Sequence, residues 1–225
     1  VGQLALSLTL LVTAGLLVRA LMSGRNVNPG FHGTGVATAT FRAESWGYDA
    51  ERARVFFSSL RERMTQVSGV TDVALVDRLP LQLSNSSDAI LLDGAPVGRD
   101  GQPQRTYVAT TLVDGDYFDV LQLPVVSGRA IERRDDERAA RVAVVNETLA
   151  RTHFGGSQAV GRTFTYHGDR VTIVGIARDA KYNSLTESTL TMAYFPVAQE
   201  WRNELSLLVR SGDASPASLA RVRDA

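Results

Sequence analysis

The longest uninterrupted apolar stretch of the chain lies at its start, where residues 1–22 read VGQLALSLTLLVTAGLLVRALM. No charged residue occurs between Leu4 and Val18, and only hydroxyl side chains and one glycine interrupt the apolar run. A helix of about 20 residues covers a hydrocarbon core of about 30 Å, so residues 1–22 are predicted to form a transmembrane helix. A signal peptide and a buried helix of a soluble core are the alternatives, but no basic residue precedes the run as a signal peptide requires.

The hydrophobic pattern then changes to that of a strand–helix–strand unit. Residues 36–41 alternate as a strand does, and residues 70–76 form a second apolar strand pattern. Between them, residues 49–67 place apolar side chains on one helical face, with Asp49 at the N-cap position: Ala53, Phe56, Phe57, Leu60, Met64 and Val67. Such a crossover most often brings its two strands together in parallel, so we expect a βαβ unit that ends near Pro80.

Beyond Pro80 the pattern is mostly that of short strands. Asp114 is a cap-type residue before a short helix predicted to reach residue 121, and Asn146 is the predicted N-cap of a helix that ends near residue 154. Residues 167–169 read His-Gly-Asp, which predicts a hairpin turn, and Ser215-Pro216 predicts the start of a further helix. Strands are predicted at 90–92, 106–111, 141–145, 162–166, 170–176, 192–196 and 205–210.

Residues 23–35 read SGRNVNPGFHGTG, and this Gly- and Asn-rich composition predicts a linker. The spacing of Gly30, Gly33 and Gly35 fits neither a dinucleotide-binding fingerprint nor a Walker loop. We therefore interpret these glycines as turn residues.

Composition excludes several classes of function. The 225 residues contain 24 Lys plus Arg and 24 Asp plus Glu, so the net charge is +0. Binding to nucleic acid needs a basic surplus, which makes nucleic acid an unfavourable partner. The absence of cysteine from the sequence excludes disulfides, thiolate metal sites and cysteine nucleophiles within it.

No arrangement of reactive residues points to catalysis. His32, His153 and His167 do not show the spacing of metal ligands, and no Gly-x-Ser-x-Gly motif is present. Asp114, Asp116 and the nearby Asp119 resemble a carboxylate pair, but caps and turns explain them more simply. Asn85 and Asn146 begin glycosylation sequons, and the second is interpreted as structural because it opens a predicted helix after a buried-looking strand. We therefore assign no catalytic, metal-binding or cofactor-binding residue and predict that the chain is not an enzyme.

The chain contains a series of short sequence motifs, and their order along the chain resembles a known family more specifically than any single motif does. Together with the N-terminal run, the chain resembles the extracytoplasmic core domain of the MacB/FtsX-type ABC transporter permeases. It is most similar to the acidobacterial-type duplicated permeases that carry no ATPase on the same polypeptide. The motifs are NPGF (28–31), GVTDVA (69–74), LPL (79–81), DYF (116–118), LP (123–124), SGR (127–129), VAVVNET (142–148), VGR (160–162), IVGIARD (173–179) and YFP (194–196).

The resemblance implies an α+β periplasmic domain of two lobes that follows an N-terminal transmembrane helix (1–22) and a linker (23–35). The membrane-proximal lobe contains the βαβ unit and is expected at 34–80 and 200–225, with its second part truncated. The mostly β inserted lobe is expected at 81–199.

The resemblance also implies a function, a location and partners. The chain is expected to be the non-catalytic periplasmic part of a permease subunit in the inner membrane, multi-pass in the full-length protein, with residues from about 23 onward outside the cytoplasm. Expected partners are a separate cytoplasmic ATPase, other permease helices or a second permease half, membrane lipid and a periplasmic partner. The alternative is a membrane-anchored ligand-binding or sensor module. Arg19 and Arg25 by themselves favour a cytoplasmic side after the span, against this topology.

Overall fold

The computed structural model describes residues 2–25, 28–82, 86–99 and 101–212. The α-helices in these ranges are α1 (Gly2–Arg25), α2 (Ala50–Thr65), α3 (Tyr117–Val120) and α4 (Glu147–His153), with 3₁₀ turns at Ala43–Trp46 and Gly156–Ala159. The strands are β1 (Val36–Arg42), β2 (Val70–Val76), β3 (Ser87–Leu92), β4 (Thr106–Val113), β5 (Val125–Gly128), β6 (Val142–Asn146), β7 (Thr163–Tyr166), β8 (Asp169–Ala177), β9 (Met192–Pro196) and β10 (Glu204–Ser211).

The N-terminal apolar run forms one continuous helix, as the sequence predicts. α1 contains 24 residues, and its side chains from Leu6 to Arg19 are exposed. Within the described ranges, however, no helix meets the combined length and hydropathy that a membrane crossing requires. The predicted helix is thus confirmed over residues 2–22, and its assignment as a transmembrane span is not.

The predicted strand–helix–strand unit is present, but its two strands are not neighbours. β10 lies between β1 and β2 and pairs antiparallel with both, so that Leu207 faces Ala39 on one side and Leu75 on the other. β1 and β2 therefore run parallel, as a right-handed crossover favours, with a strand from the far end of the chain inserted between them. We refer to β1, β10, β2 and α2 as the α/β layer.

Helix α2 covers this layer with the apolar face that its sequence predicts. Phe57 and Met64 are buried against the sheet, and the side chain of Asp49 accepts a hydrogen bond from the backbone N–H of Arg52 at 2.8 Å. The N-cap predicted at Asp49 is thus confirmed.

We expect Asp49→Ala to lower the free energy of unfolding by roughly 1 kcal/mol, because the substitution leaves an N–H group of the first helical turn without its side-chain acceptor. Chemical denaturation measures this loss. Glu51→Ala is the matched control, since it also removes a carboxylate from the first turn but no capping bond. An equal loss in the two variants would show that charge, and not the cap, stabilises the helix.

The remaining strands complete a closed circuit of six. The circuit runs β4–β3–β7–β8–β6–β9 and returns to β4, with β4–β9 and β6–β8 parallel and the other pairs antiparallel, while β5 pairs with β8 outside it. Large apolar side chains fill its interior, among them Ile90, Phe164, Ile173 and Phe195. We call this unit the ring.

Several local predictions within the ring are confirmed and two need correction. β7 and β8 form the predicted hairpin, whose turn places His167 and Gly168 at φ values of 50° and 92°. Asn146 caps α4 by accepting a bond from the N–H of Leu149 at 2.9 Å. β5 was not predicted, and α3 is shorter than expected, since Asp114 does not cap it. The sequon residue Asn85 and the helix start predicted at residue 215 lie outside the described residues.

Candidate functional site

The segment that follows α1 is fastened to both parts of the domain. Residues 28–35, predicted as a turn-rich linker, begin with a turn in which Asn28 Oδ1 accepts a hydrogen bond from the N–H of Gly30 at 2.8 Å. Pro29 O accepts from the N–H of Lys181 at 2.7 Å, and the N–H of His32 donates to Leu121 O at 2.8 Å. We call residues 28–35 the anchor segment.

Arg210 on β10 joins the anchor segment to the end of α3. Its Nε donates to Val120 O at 2.6 Å, Nη1 donates to Thr34 O at 3.2 Å, and Nη2 donates to His32 O. Partial burial lowers the pKa of the guanidinium group, and the nearby carboxylate of Asp72 acts in the opposite direction. One side chain of the α/β layer therefore holds three carbonyl groups from two other segments.

Gly30 permits a close approach between the anchor segment and the loop that follows β8 of the ring. It has a φ of 86°, and a Cβ added to it would clash with Asp179 O and lie 2.8 Å from Ala180 Cα. Glycine is the residue that accommodates both this backbone conformation and this contact. The close approach therefore depends on glycine at this position.

The loop that receives Gly30 is itself firmly held. Asp179 Oδ1 accepts bonds from Asn146 Nδ2 at 2.7 Å and from the N–H of Thr148 at 2.9 Å, and Oδ2 accepts from Thr148 Oγ1 at 2.8 Å. Further along the same loop, the hydroxyl of Tyr182 pairs with that of Tyr117, and burial raises the pKa of both groups. The anchor segment is thus tied to α3, to α4 and to the core of the ring.

A second set of contacts joins the α/β layer to the ring. β2 and β4 share one paired position, Val76 opposite Val113, flanked by the backbone bonds Asp77 N to Leu112 O and Asp114 N to Leu75 O, both 3.0 Å. This short antiparallel pairing is the place where the two sheets become continuous. We call it the junction.

Two carboxylates extend the junction in a reciprocal arrangement. Asp77, which follows β2, accepts bonds on Oδ1 from Leu112 N at 2.8 Å and from Thr111 Oγ1 at 2.7 Å. Asp114, which follows β4, accepts a bond on Oδ2 from Leu75 N at 2.9 Å. Each strand thus ends in a side chain that hydrogen-bonds the other strand's backbone.

Apolar packing supports the junction on the face opposite α2. Residues of the α/β layer and of the ring share one hydrophobic cluster there, with α3 packed against β2 and β10. Its members include Ala74, Val76 and Leu208 from the layer and Val113, Tyr117 and Tyr194 from the ring and α3. Close-packed interiors resist deformation, so the two parts are expected to move together.

The histidines that were candidates for a reactive site in the sequence do not come together in the structure. His32 lies in the anchor segment, His153 ends α4, and His167 stacks on Tyr166 at 4.0 Å in the β7–β8 turn. Within the described ranges, no group of three or more metal-ligating side chains is placed to hold an ion.

Of the three aspartates predicted to cap or turn, Asp114 has the larger structural role, because it bridges two strands. Its Oδ1 does accept a turn bond from Asp116 N at 3.2 Å, as predicted. The bond to Leu75 has no local sequence signal. Asp119 lies in α3, where partial burial raises its pKa.

The fold and the site together define a class of protein: an α+β domain of two joined β-sheet units, to which the segment at residues 28–35 is fastened. The chain belongs to the family of MacB-like periplasmic core domains, whose model matches residues 4–225. It is therefore a component of an ABC-type transporter permease, and permeases of the MacB type work with an ABC ATPase. The family resemblance inferred from the sequence is confirmed.

The chain is similar to solved structures at low sequence identity, and the first of them shares its fold. The periplasmic region of MacB from Actinobacillus actinomycetemcomitans is 18% identical, with a TM-score of 0.54, covering 85% of this chain and 80% of that one. The extracellular domain of the ABC-type transporter YknZ from Gram-positive bacteria is 16% identical, with a TM-score of 0.49 and coverage of 73% and 76%. A domain of a permease protein from Porphyromonas gingivalis is 16% identical, with a TM-score of 0.48 and coverage of 84% and 80%. No curated protein sequence matches this chain significantly.

Proposed function

We propose that this chain is the extracytoplasmic domain through which an ABC permease passes ATP-driven movement to a substrate or partner outside the cytoplasm. The single observation that carries the proposal is the anchor segment, whose residues bond both to Arg210 of the α/β layer and to Lys181 in the loop that follows β8 of the ring. A displacement of the anchor segment, which lies two residues beyond the end of α1, therefore reaches both parts of the domain through hydrogen bonds. Rigid-body movement of this kind is a common way of coupling distant sites.

The proposal places α1 in the inner membrane and the residues from about 23 onward outside the cytoplasm. It is supported by the 24-residue length of α1, about 36 Å at 1.5 Å per residue, and by its exposed apolar side chains. Small and hydroxyl residues such as Ser7, Thr13 and Gly15 suit contact with other permease helices or with a second permease half. The subunit that drives the movement is a separate cytoplasmic ATPase. The other proposed partners are membrane lipid and a periplasmic partner.

The two-lobe division also belongs to this proposal. The βαβ lobe at 34–80 and 200–225 is supported by the position of β10 between β1 and β2, and the inserted lobe at 81–199 by the closed circuit of strands. The domain acts through movement and carries no catalytic residue of its own.

Purification from membranes tests this proposal. We expect the full-length polypeptide that contains this chain to co-purify with an ABC ATPase and to show ATP hydrolysis. A polypeptide that binds no ATPase, but binds a soluble ligand through this domain, would instead support the anchored sensor.

We expect Arg210→Met to weaken the anchor segment and to leave the remaining fold intact. The change removes donors to Val120 O, Thr34 O and His32 O, and charged hydrogen bonds contribute about 1.5–3 kcal/mol each before solvent screening. Hydrogen exchange should therefore speed up at the amide of His32, with little change at Phe164 in the ring.

Arg202→Met is the matched control for this prediction. Arg202 is half exposed and contacts Glu200 at 2.6 Å, outside the anchor segment. Unchanged exchange at His32 in the Arg210 variant, or the same acceleration in the control, would contradict the role assigned to Arg210.

A further inference from the structure

A basic side chain of α2 lies beside two carboxylates at the junction. Arg61 Nη2 contacts Asp116 Oδ2, and Arg61 Nε is 3.7 Å from Asp114 Oδ2. The side chains of Arg61 and Asp114 are only 17% and 9% exposed. Arg61 Nε is buried and makes no hydrogen bond with any described residue. The guanidinium is thus hydrogen-bonded to Asp116 through Nη2, and it lies within ion-pair distance of Asp114 without a hydrogen bond to it.

The oxygens of Asp114 are already committed to the backbone of the junction. Oδ2 accepts from Leu75 N, and Oδ1 accepts from Asp116 N. Burial raises the pKa of Asp114 from 3.8 to about 7, while Arg61 and the Leu75 N–H group act to lower it. A carboxyl group with this pKa changes its charge close to neutral pH.

The other charged groups around Asp114 are mostly engaged with partners of their own. A cavity of about 260 Å³ borders Asp114 and is lined by α2, the ends of β2 and β4, residues 131–135 and residues 196–201. Its remaining charged residues are paired as follows: Arg54 with Glu137 (2.7 Å), Asp135 with Arg129 (2.6 Å), Glu132 with Arg134 (2.7 Å) and Arg133 with Asp116 (3.9 Å). Among the described residues, Arg61 is the cation that forms an ion pair with Asp114.

We propose that Arg61, Asp114 and Asp116 form a proton-operated clamp between α2 and the junction. When Asp114 is ionised, the Arg61 guanidinium bridges both carboxylates and draws α2 toward the ends of β2 and β4. When Asp114 is protonated, Arg61 pairs with Asp116 alone and the cavity widens. A buried charge requires a partner, and Arg61 is the partner within reach. This inference concerns the domain alone and does not rest on the proposed transport function.

The chain contains its own reporter for this movement. Trp201 lines the same cavity, where its ring centroid is 5.8 Å from that of Phe57 and 5.2 Å from the Arg54 guanidinium carbon. The 225 residues contain two tryptophans, so Trp46→Phe leaves Trp201 as the only one among them. No histidine is among the described residues that line the cavity, and Asp114 is the group there whose pKa lies near 7.

The test is a fluorescence titration of the Trp46→Phe protein between pH 5 and pH 9. We expect a reversible transition of Trp201 emission with a midpoint near pH 7 and no such transition after Asp114→Asn. Two matched variants should have different effects. Asp116→Asn lowers the midpoint because a like charge is removed, and Arg61→Gln abolishes the transition because the guanidinium that draws α2 toward the junction is gone.

His153→Gln, which lies outside the cavity, serves as the control and should leave the midpoint unchanged. Circular dichroism at each pH confirms that the variants remain folded. The proposal fails if the transition is absent from the Trp46→Phe protein, if it persists in a folded Asp114→Asn or Arg61→Gln protein, or if Asp116→Asn does not lower the midpoint. Should the Asp114 variant not fold, the Asp116 and Arg61 variants decide the question.

Discussion

Replacing Gly30 with alanine is expected to destabilise the domain by about 2–5 kcal/mol. A left-handed backbone conformation costs a residue with a Cβ about 1–2 kcal/mol, and overpacking against fixed neighbours costs about 1–3 kcal/mol. Both costs apply at Gly30, because its φ is 86° and the atoms that a Cβ would meet are the backbone of Asp179 and Ala180. Urea denaturation of the variant measures the loss.

Gly47→Ala separates the two contributions. Gly47 has a φ of 69°, but no atom lies within 4 Å of the position that its Cβ would occupy. The control should therefore lose only the conformational part, about 1 kcal/mol. If both variants lost the same free energy, the close approach of Gly30 to the ring would contribute nothing to stability.

Asp77→Ala is expected to be the second most damaging change, lowering the free energy of unfolding by about 2–4 kcal/mol. Asp77 Oδ1 accepts bonds from the N–H of Leu112 and the hydroxyl of Thr111, and both of these residues are buried. A buried donor left without an acceptor costs about 1–3 kcal/mol, so two such donors explain the expected size.

Asp77→Asn is the matched variant, because its amide oxygen keeps one acceptor in place while the charge is removed. We expect it to lose less than half as much stability as the alanine variant. Hydrogen exchange at the Leu112 amide provides an independent measurement. An asparagine variant as unstable as the alanine variant would mean that the charge, and not the hydrogen bonds, holds the junction together.

The features that the sequence predicts correctly are local ones. The cap at Asp49, the cap at Asn146 and the turn at His167-Gly168 each depend on residues within a few positions of one another. Helix α2 is equally predictable from the sequence, because its apolar residues recur at helical spacing.

The features that sequence analysis missed depend on distant parts of the chain. Pairing of β10 with β1 joins residues that are about 170 positions apart, and no local pattern specifies it. The same holds for Asp114, whose partner Leu75 is 39 residues away, and for Gly30, whose neighbours are Asp179 and Ala180. Asn28 before Pro29 and Gly30 does signal a turn, but the ring surface that fixes its conformation appears only in three dimensions.

These non-local contacts are also the ones that support rigid coupling. The anchor segment and the junction connect the same two parts of the domain at separate places, and the shared hydrophobic cluster fills the space beside the junction. Two bodies joined at separate places cannot pivot about either one alone. Movement of the anchor segment is therefore expected to carry the α/β layer and the ring together.

Paired spin labels in the full-length permease with its ATPase test this claim most directly. The 225 residues contain no cysteine, so labels can be introduced at Val55 on α2 and at Val97 in the β3–β4 connection, two exposed positions in different parts of the domain. We predict that the Val55–Val97 distance stays the same with and without bound ATP. The distances from each of these labels to a label at Leu11 in α1 should also stay the same, while the whole domain shifts relative to the other permease helices. A nucleotide-dependent change in the Val55–Val97 distance would contradict the account, because it would show that the two parts move independently.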